Sequence, residues 1–214
     1  PTSKGKPFIN LLPLDEGETI TTVMKLPECE DDCKDMSIMF ATSQGNVRRN
    51  SLMDFVNVQS NGKIAMKLDE GDKLINVRIC HEDNDIMLAA RSGKCIRFPV
   101  TDVRVFVGRN STGVRGIKLA EGDEVISMSI LLHSDATSEE RDEYARIASA
   151  IKRISAERGD DSCVSPEDTG LLNVLTTEKY KEMAEREQFI LSVTSTGYGK
   201  RTSSYEYRVT GRGG

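Results

Sequence analysis

Residues 189–207 read FILSVTSTGYGKRTSSYEY, and the same pattern stands twice earlier, as MSIMFATSQGNVRRNSLMDF at 36–55 and DIMLAARSGKCIRFPVTDV at 85–103. Each copy is an apolar strand-like run, a polar turn built on a glycine (Gly45, Gly93, Gly197), and a second run. That is a hairpin, with glycine supplying the positive φ that a tight turn between strands needs. The third copy contains Gly-Tyr-Gly-Lys, which raises a nucleotide loop. A loop of the form G-x-x-x-x-G-K-[ST] needs a glycine five residues before its second glycine and a hydroxyl after its lysine. Here Thr194 and Arg201 hold those places, so the stretch reads as a turn. An arginine recurs four residues after each turn glycine, as Arg49, Arg97 and Arg201. A fixed position requires a repeated structural role, such as an ion pair between neighbouring units, or a repeated ligand contact.

A second triplet alternates with the first: KGKPFINLLPLDEGETITTVM (4–24), NGKIAMKLDEGDKLINVRI (61–79) and TGVRGIKLAEGDEVISMSI (112–130). Each carries an acidic turn on Gly17, Gly71 or Gly122, at spacings of 54 and 51 residues. One period holds about four short strands, which is the signature of propeller-like blades, whereas a plain β-sandwich would not show the period. The fold class expected is all-β, with about three to four blades of four antiparallel strands, in repeats of approximately 1–57, 58–108 and 109–211. The third repeat is interrupted, because Gly122 and Gly197 lie 75 residues apart where Gly71 and Gly93 lie 22 apart. The insertion, 134–188, reads as two helices. The first is capped by Asp135, Thr137 or Ser138, buries Tyr144, Ile147, Ile151 and Ile154, and closes at Gly159. The second is capped by Thr176 or Thr177. The plain reading is a helical hairpin on a blade edge, and the sharper one a partner-docking arm.

Composition excludes several functions. No apolar run among the 214 residues approaches the roughly 20 of a membrane helix, and no basic-apolar leader opens the chain. Pro1 and Gly214 fall in mid-pattern, as in an excised fragment. The cysteines (Cys29, Cys33, Cys80, Cys95, Cys163) are odd in number and suit reduced thiols. Cys29 and Cys33 lack two further ligands at matching spacing, and His81 and His133 lack partner motifs. No catalytic residue and no metal ligand is assigned.

The net charge of −5 hides a sorting. The insertion holds 14 acids against 8 bases, leaving the remainder at a net charge of +1. Residues 94–118 carry Lys94, Arg97, Arg104, Arg109, Arg115 and Lys118 against Asp102 alone. Residues 197–214 carry Lys200, Arg201, Arg208 and Arg212 against Glu206 alone. Clustered bases are what a polyanion meets. The bases follow the glycines at strand starts and hairpin tips (Lys4, Lys6, Lys63, Lys94, Arg109, Arg115, Arg212) or lie just inside a strand (Arg48, Arg49, Arg97, Lys200, Arg201). With Arg104, Lys118 and Arg208 they form the expected phosphate-contact set. For any one of them the alternative is a solvated strand end or a salt bridge, and for Arg49, Arg97 and Arg201 a structural ion pair.

Three stretches, KGKPFINLLPL, GRNSTGVRGIKLAEGDEVISM and TSTGYGKRTSSYEY, closely resemble the C-terminal, DNA-wrapping domain of the DNA gyrase A protein, over residues 1–133 and 189–214. The related C-terminal domain found in topoisomerase IV has fewer, more degenerate repeats. The resemblance implies a β-pinwheel, in which each blade takes a strand from its neighbour and DNA wraps the basic rim with positive handedness. It places this chain at the second to about the fourth blade, with the closing GRGG as counterpart of Gly108-Arg109. It implies duplex DNA as partner, within a DNA gyrase holoenzyme of two A and two B polypeptides, no membrane, and a cytoplasmic, nucleoid-associated bacterial setting. ATP and magnesium are used elsewhere in that holoenzyme, and no cofactor is expected in this chain. The family's Q-R-R-G-G-K-G box is absent, and the common pattern lacks the insertion. A protein-binding propeller is the alternative from another class, and a stand-alone enzyme finds no triad, metal cluster or working phosphate loop.

Overall fold

The turn glycines bend as their positions require. Gly45, Gly93 and Gly197 have φ of 84°, 89° and 86° in a computed structural model that describes residues 5, 14, 16–57, 64–158 and 164–213. They close three hairpins: β1 (Ser37–Thr42) with β2 (Asn46–Ser51), β4 (Asn84–Ala90) with β5 (Cys95–Pro99), and β8 (Phe189–Val193) with β9 (Gly199–Ser203). A single helical turn, α1 (Glu30–Cys33), precedes β1. Each second strand runs into a short 3₁₀ turn, at Leu52–Phe55, Val100–Asp102 and Ser204–Glu206. The Ser51 and Ser203 hydroxyls cap two of these turns by accepting from the N–H groups of Met53 and Tyr205.

The strand that precedes a hairpin pairs with the hairpin before it. β3 (Leu74–Cys80) leads into β4 but lies antiparallel to β1, with Ser37 opposite Cys80. β7 (Val125–Leu132) lies beside β4 in the same way. β6 (Val114–Arg115) adds to β2 and completes a four-stranded sheet ordered β3–β1–β2–β6. The second sheet is β5–β4–β7, and the third is β8–β9. The backbone also returns to the second strand of two hairpins, where Val105 bridges to Arg49 and Val209 to Arg97. The central strands are the ones written as continuous apolar runs, and all six residues of SIMFAT are buried.

Two compact units result: Pro1–Ile130 with Val209–Gly214, and Leu131–Arg208. In the first, β1 feeds two cores by its alternation. Met39 and Ala41 pack with Val47, Ile86, Leu88, Phe98 and Met128, while Ile38 and Phe40 pack with Leu52 and Val77. Each fully buried Val, Leu, Ile, Phe or Met side chain among them contributes about 1.5–3 kcal/mol. Gly116 allows a close crossing, since a Cβ there would stand 2.8 Å from both Leu88 Cδ1 and Val47 Cγ1.

The second unit holds the third hairpin with α2 (Ser138–Arg158) and α3 (Thr177–Arg186). Of the three candidate caps, Thr137 is the one used: it accepts from the Glu140 N–H at 3.2 Å, and Glu140 accepts from the Thr137 N–H at 2.7 Å. Thr176 caps α3. Tyr144 and Ile147 are buried as the spacing implied, and Ile151 and Ile154 are half-buried. Tyr144 stacks on Tyr180 at 4.9 Å and meets Tyr205 edge-on at 5.2 Å. The expected stop at Gly159, together with Cys163, lies outside the described residues.

Candidate nucleic-acid interface

The recurring arginine answers to a recurring partner. Arg49 stands opposite Met39, Arg97 opposite Met87 and Arg201 opposite Leu191. Each side chain therefore reaches diagonally to the residue eight before the turn glycine: Ser37, Asp85 or Phe189. Arg49 Nε donates to Ser37 Oγ at 2.9 Å, and its Nη2 pairs with Glu82 at 2.8 Å. Arg97 Nε donates to Asp85 Oδ2 at 2.7 Å, with both side chains almost wholly enclosed. Arg201 lies over the Phe189 ring at 3.4 Å and is exposed. Ion pair, hydroxyl contact and cation–π contact thus fill one structural slot.

Arg48 points the other way and is also fully buried. Its Nη1 donates to the carbonyls of Arg109 at 2.6 Å and Ser111 at 3.0 Å, and its Nη2 to that of Gly108. Burial lowers its pKa below the ordinary arginine value, Asp54 opposes that fall, and Arg109 adds to it. Arg48, Arg49 and Arg97 were expected at phosphates. The structure turns all three inward, because the second strands of the first two hairpins are buried and their cations must find oxygens inside the blade.

The exposed bases of the expected set lie elsewhere: Lys94, Arg104, Arg115 and Lys118 in one stretch of chain, and Lys200, Arg201, Arg208 and Arg212 in another. Arg104 covers the Phe106 ring at 4.2 Å. Arg109 is half-buried in the next turn, and Arg115 is exposed beside Arg212, whose Nη1 donates to the Arg115 carbonyl at 2.7 Å. Lys94, at the tip of the second hairpin, donates to the Lys118 carbonyl at 3.0 Å. None of Lys94, Arg104, Arg109, Arg115 and Lys118 is in an ion pair among the described residues. In the second unit Lys200, Arg201 and Arg208 are exposed. Lys4, Lys6 and Lys63 lie outside the described residues.

The acidic turns carry a part that the sequence reading passed over. Asp72 accepts from Ser43 Oγ at 2.8 Å and from the N–H groups of Gln44 and Lys73 at 2.9 and 2.8 Å. Asp123 does the same for Ser92, at 2.7 Å from its hydroxyl and 3.1 Å from its N–H. The aspartates that follow Gly71 and Gly122 therefore latch the tips of the preceding hairpins. Burial pushes the Asp72 carboxyl upward, but hydrogen bonds from Thr42, Gln44, Ser43 and Lys73 outweigh it and hold it below the usual range. The Ser92 hydroxyl does most to hold Asp123 low. The signal was present as a repeated Glu-Gly-Asp. Among the described residues no cluster of His, Cys, Asp and Glu could hold a metal ion.

The family described as the DNA gyrase C-terminal domain, a beta-propeller, matches residues 37–81, 84–131 and 188–214. The chain is 51% identical to the DNA gyrase A protein of Rickettsia bellii over all 214 residues, which is 23% of that protein. It is 51% identical to the Granulibacter bethesdensis gyrase A protein, again over the whole chain and 24% of the relative. The Escherichia coli gyrase A protein is 40% identical over 60% of this chain and 14% of its own length. The chain thus spans about a quarter of the length of the curated relatives it matches most fully. Among solved structures, the C-terminal domain of DNA topoisomerase IV aligns at a TM-score of 0.65 and 18% identity, covering 98% of this chain and 48% of that one. The DNA gyrase A C-terminal domain aligns at 0.62 and 21% identity, covering 99% and 51%. These likenesses place the sheets as blades of a β-pinwheel.

Proposed function

The chain belongs to the DNA gyrase C-terminal domain family, and on that footing we propose that it is the DNA-wrapping module of a gyrase A protein. One observation supports the reading. Among the expected bases, Arg48, Arg49 and Arg97 are paired or hydrogen-bonded inside the blades, while Lys94, Arg104, Arg109, Arg115 and Lys118 stand outside any ion pair among the described residues, although other exposed bases such as Lys34 and Arg91 pair with carboxylates. Free cations at intervals along a surface neutralise phosphates without reading bases, so affinity depends on charge and on the bendability of the duplex. Lys94, Arg104, Arg109, Arg115, Lys118, Lys200, Arg201, Arg208 and Arg212 are the proposed contacts, together with Lys4, Lys6 and Lys63. Arg48, Arg49 and Arg97 support them from within.

The wrapped duplex would be passed by a holoenzyme of two such A proteins and two B proteins, which supplies the ATP, the magnesium and the cleavage chemistry, in the bacterial cytoplasm at the nucleoid. Identity of about half with gyrase A proteins over the whole chain supports gyrase over topoisomerase IV. The reading is tested by binding of the full-length protein to duplex DNA across a salt series. If about five phosphates are neutralised per chain, the log–log slope contributed by this region is about −4 to −5. Changing Lys94, Arg104, Arg115, Lys118 and Lys200 together to alanine should remove most of it. A slope that survives the change would refute the reading.

A further inference from the structure

Within an insertion of 14 acids and 8 bases, one stretch of α2 holds no acid. Residues 144–156, YARIASAIKRISA, carry Arg146, Lys152 and Arg153 as their only charged side chains. Helical spacing turns these bases away from the buried face of Tyr144 and Ile147, and all three are exposed. Ala145, Ser149 and Ala156 share the exposed face with them. Side chains this small leave room on both flanks. One cleft, of about 220 Å³, opens toward the third hairpin and is walled by Lys152 and the exposed ring of Phe189, on which Arg201 lies. The other, of about 430 Å³, is walled by Arg146, Arg153 and the exposed Leu171. Ala145 and Ser149 line both. Arg146, Lys152 and Arg153 are in no ion pair among the described residues. Each cleft thus combines cations that no carboxylate of the chain neutralises with one exposed apolar side chain.

We propose that this face of α2 docks an acidic amphipathic helix of a partner protein. The partner helix lies along α2 over Ala145 and Ser149. Its apolar side chains enter the clefts against Phe189 and Leu171, and its carboxylates meet Arg146, Lys152 and Arg153. Residues 144–156 span about 20 Å of helix axis, so three to four turns of a partner cover the acid-free length. Two observations favour a helix over duplex DNA. Glu139, Glu140 and Asp142 close the stretch at one end and Glu157 at the other. A rod with one charge per roughly 1.7 Å of axis would overrun them and meet like charge at both ends, whereas a short helix does not reach them. A phosphate backbone also has nothing apolar to set against Phe189 and Leu171, while a leucine or phenylalanine side chain does. The proposal does not rest on the DNA reading.

The test measures, by fluorescence anisotropy, binding of the full-length protein to a labelled helical peptide of about 14 residues, a leucine stripe flanked by glutamates. A second peptide carries glutamine in place of every glutamate. The glutamate peptide should bind, and the glutamine peptide should bind about tenfold more weakly or worse. Arg146→Glu/Arg153→Glu should weaken the glutamate peptide by at least about tenfold. Ser149→Phe, which fills the space between the clefts without changing charge, should weaken it by a similar factor. Lys67→Glu/Lys181→Glu, the same change of charge at exposed positions off this face, should leave it alone. Every variant is checked for an unchanged melting transition, and should Ser149→Phe fail to fold, Ala145→Gln, likewise exposed, takes its place. No binding by the unaltered protein overturns the proposal, and so does normal binding in either variant of the α2 face. An equal loss in the lysine variant reduces the effect to net charge and overturns it too. A lower salt slope for duplex DNA in Arg146→Glu/Arg153→Glu would assign the face to DNA instead.

Discussion

One residue position, four after the turn glycine, costs different amounts to empty in different blades. At Arg97 the partner is a carboxylate and the pair is buried, so Arg97→Ala breaks a buried ion pair and should cost about 3–5 kcal/mol. At Arg201 the partner is an aromatic ring at the surface, so Arg201→Ala should cost about 0.5–1 kcal/mol. Urea denaturation of the two variants checks the contrast, and equal losses would show that the slot is not what separates them. The glycines and their hairpins were legible in the sequence because a positive φ is a local demand. The arginines' role was not. Their partner sits eight residues before the glycine and is serine, aspartate or phenylalanine, three chemistries that no sequence repeat exposes. The Arg48 carbonyl contacts were hidden for a further reason, since they are set by a loop some 60 residues away.

Two elements are held by carboxylates that work chiefly through hydrogen bonds. Asp72 and Asp123 latch hairpin tips, and both are held below the ordinary carboxylate range. Around pH 4 the unfolded chain takes up protons at these groups while the folded chain does not. Stability from the latches is therefore complete above that pH and is lost as pH falls through the lower folded values. The double variant Asp72→Asn/Asp123→Asn should show a flatter decline of stability between about pH 4 and pH 2 than the unaltered protein. An identical decline would show that the latches contribute nothing to acid sensitivity. In the insertion, Glu143 is buried and accepts from the N–H groups of Asn173, Val174 and Leu175 at 2.8–3.1 Å. It splices α2 to the segment before α3, and its carboxyl is held low first by Val174 and then by its neighbours. Glu143→Gln halves the acceptors and should lower the melting temperature of the unit by about 5 °C. The helices themselves were legible, with boundaries set by the Thr137 and Thr176 caps. Glu143 was not, because it sits in an acidic run that reads as solvated surface.

At the scale of the whole chain, a net charge of −5 conceals a sorting of bases into residues 94–118 and 197–214. The repeat period disclosed the blades, and the sorting of charge disclosed where the bases cluster. What the period could not disclose is that the third hairpin associates with the insertion in a unit of its own, Leu131–Arg208, since that follows from aromatic packing among Tyr144, Tyr180 and Tyr205. The family match passes over the segment between 131 and 188, yet the Rickettsia bellii protein aligns across it. The insertion is thus shared with that relative. The most direct test of DNA wrapping is topological: nicked circular DNA is sealed by ligase with the full-length protein bound, and the linking number is read after deproteinisation. Wrapping with the positive hand that the family resemblance implies predicts a shift of linking number in the positive direction, proportional to bound protein and abolished when Lys94, Arg104, Arg115, Lys118 and Lys200 are changed to alanine. A linking number equal to that of free DNA, at concentrations where the protein is bound, would contradict it.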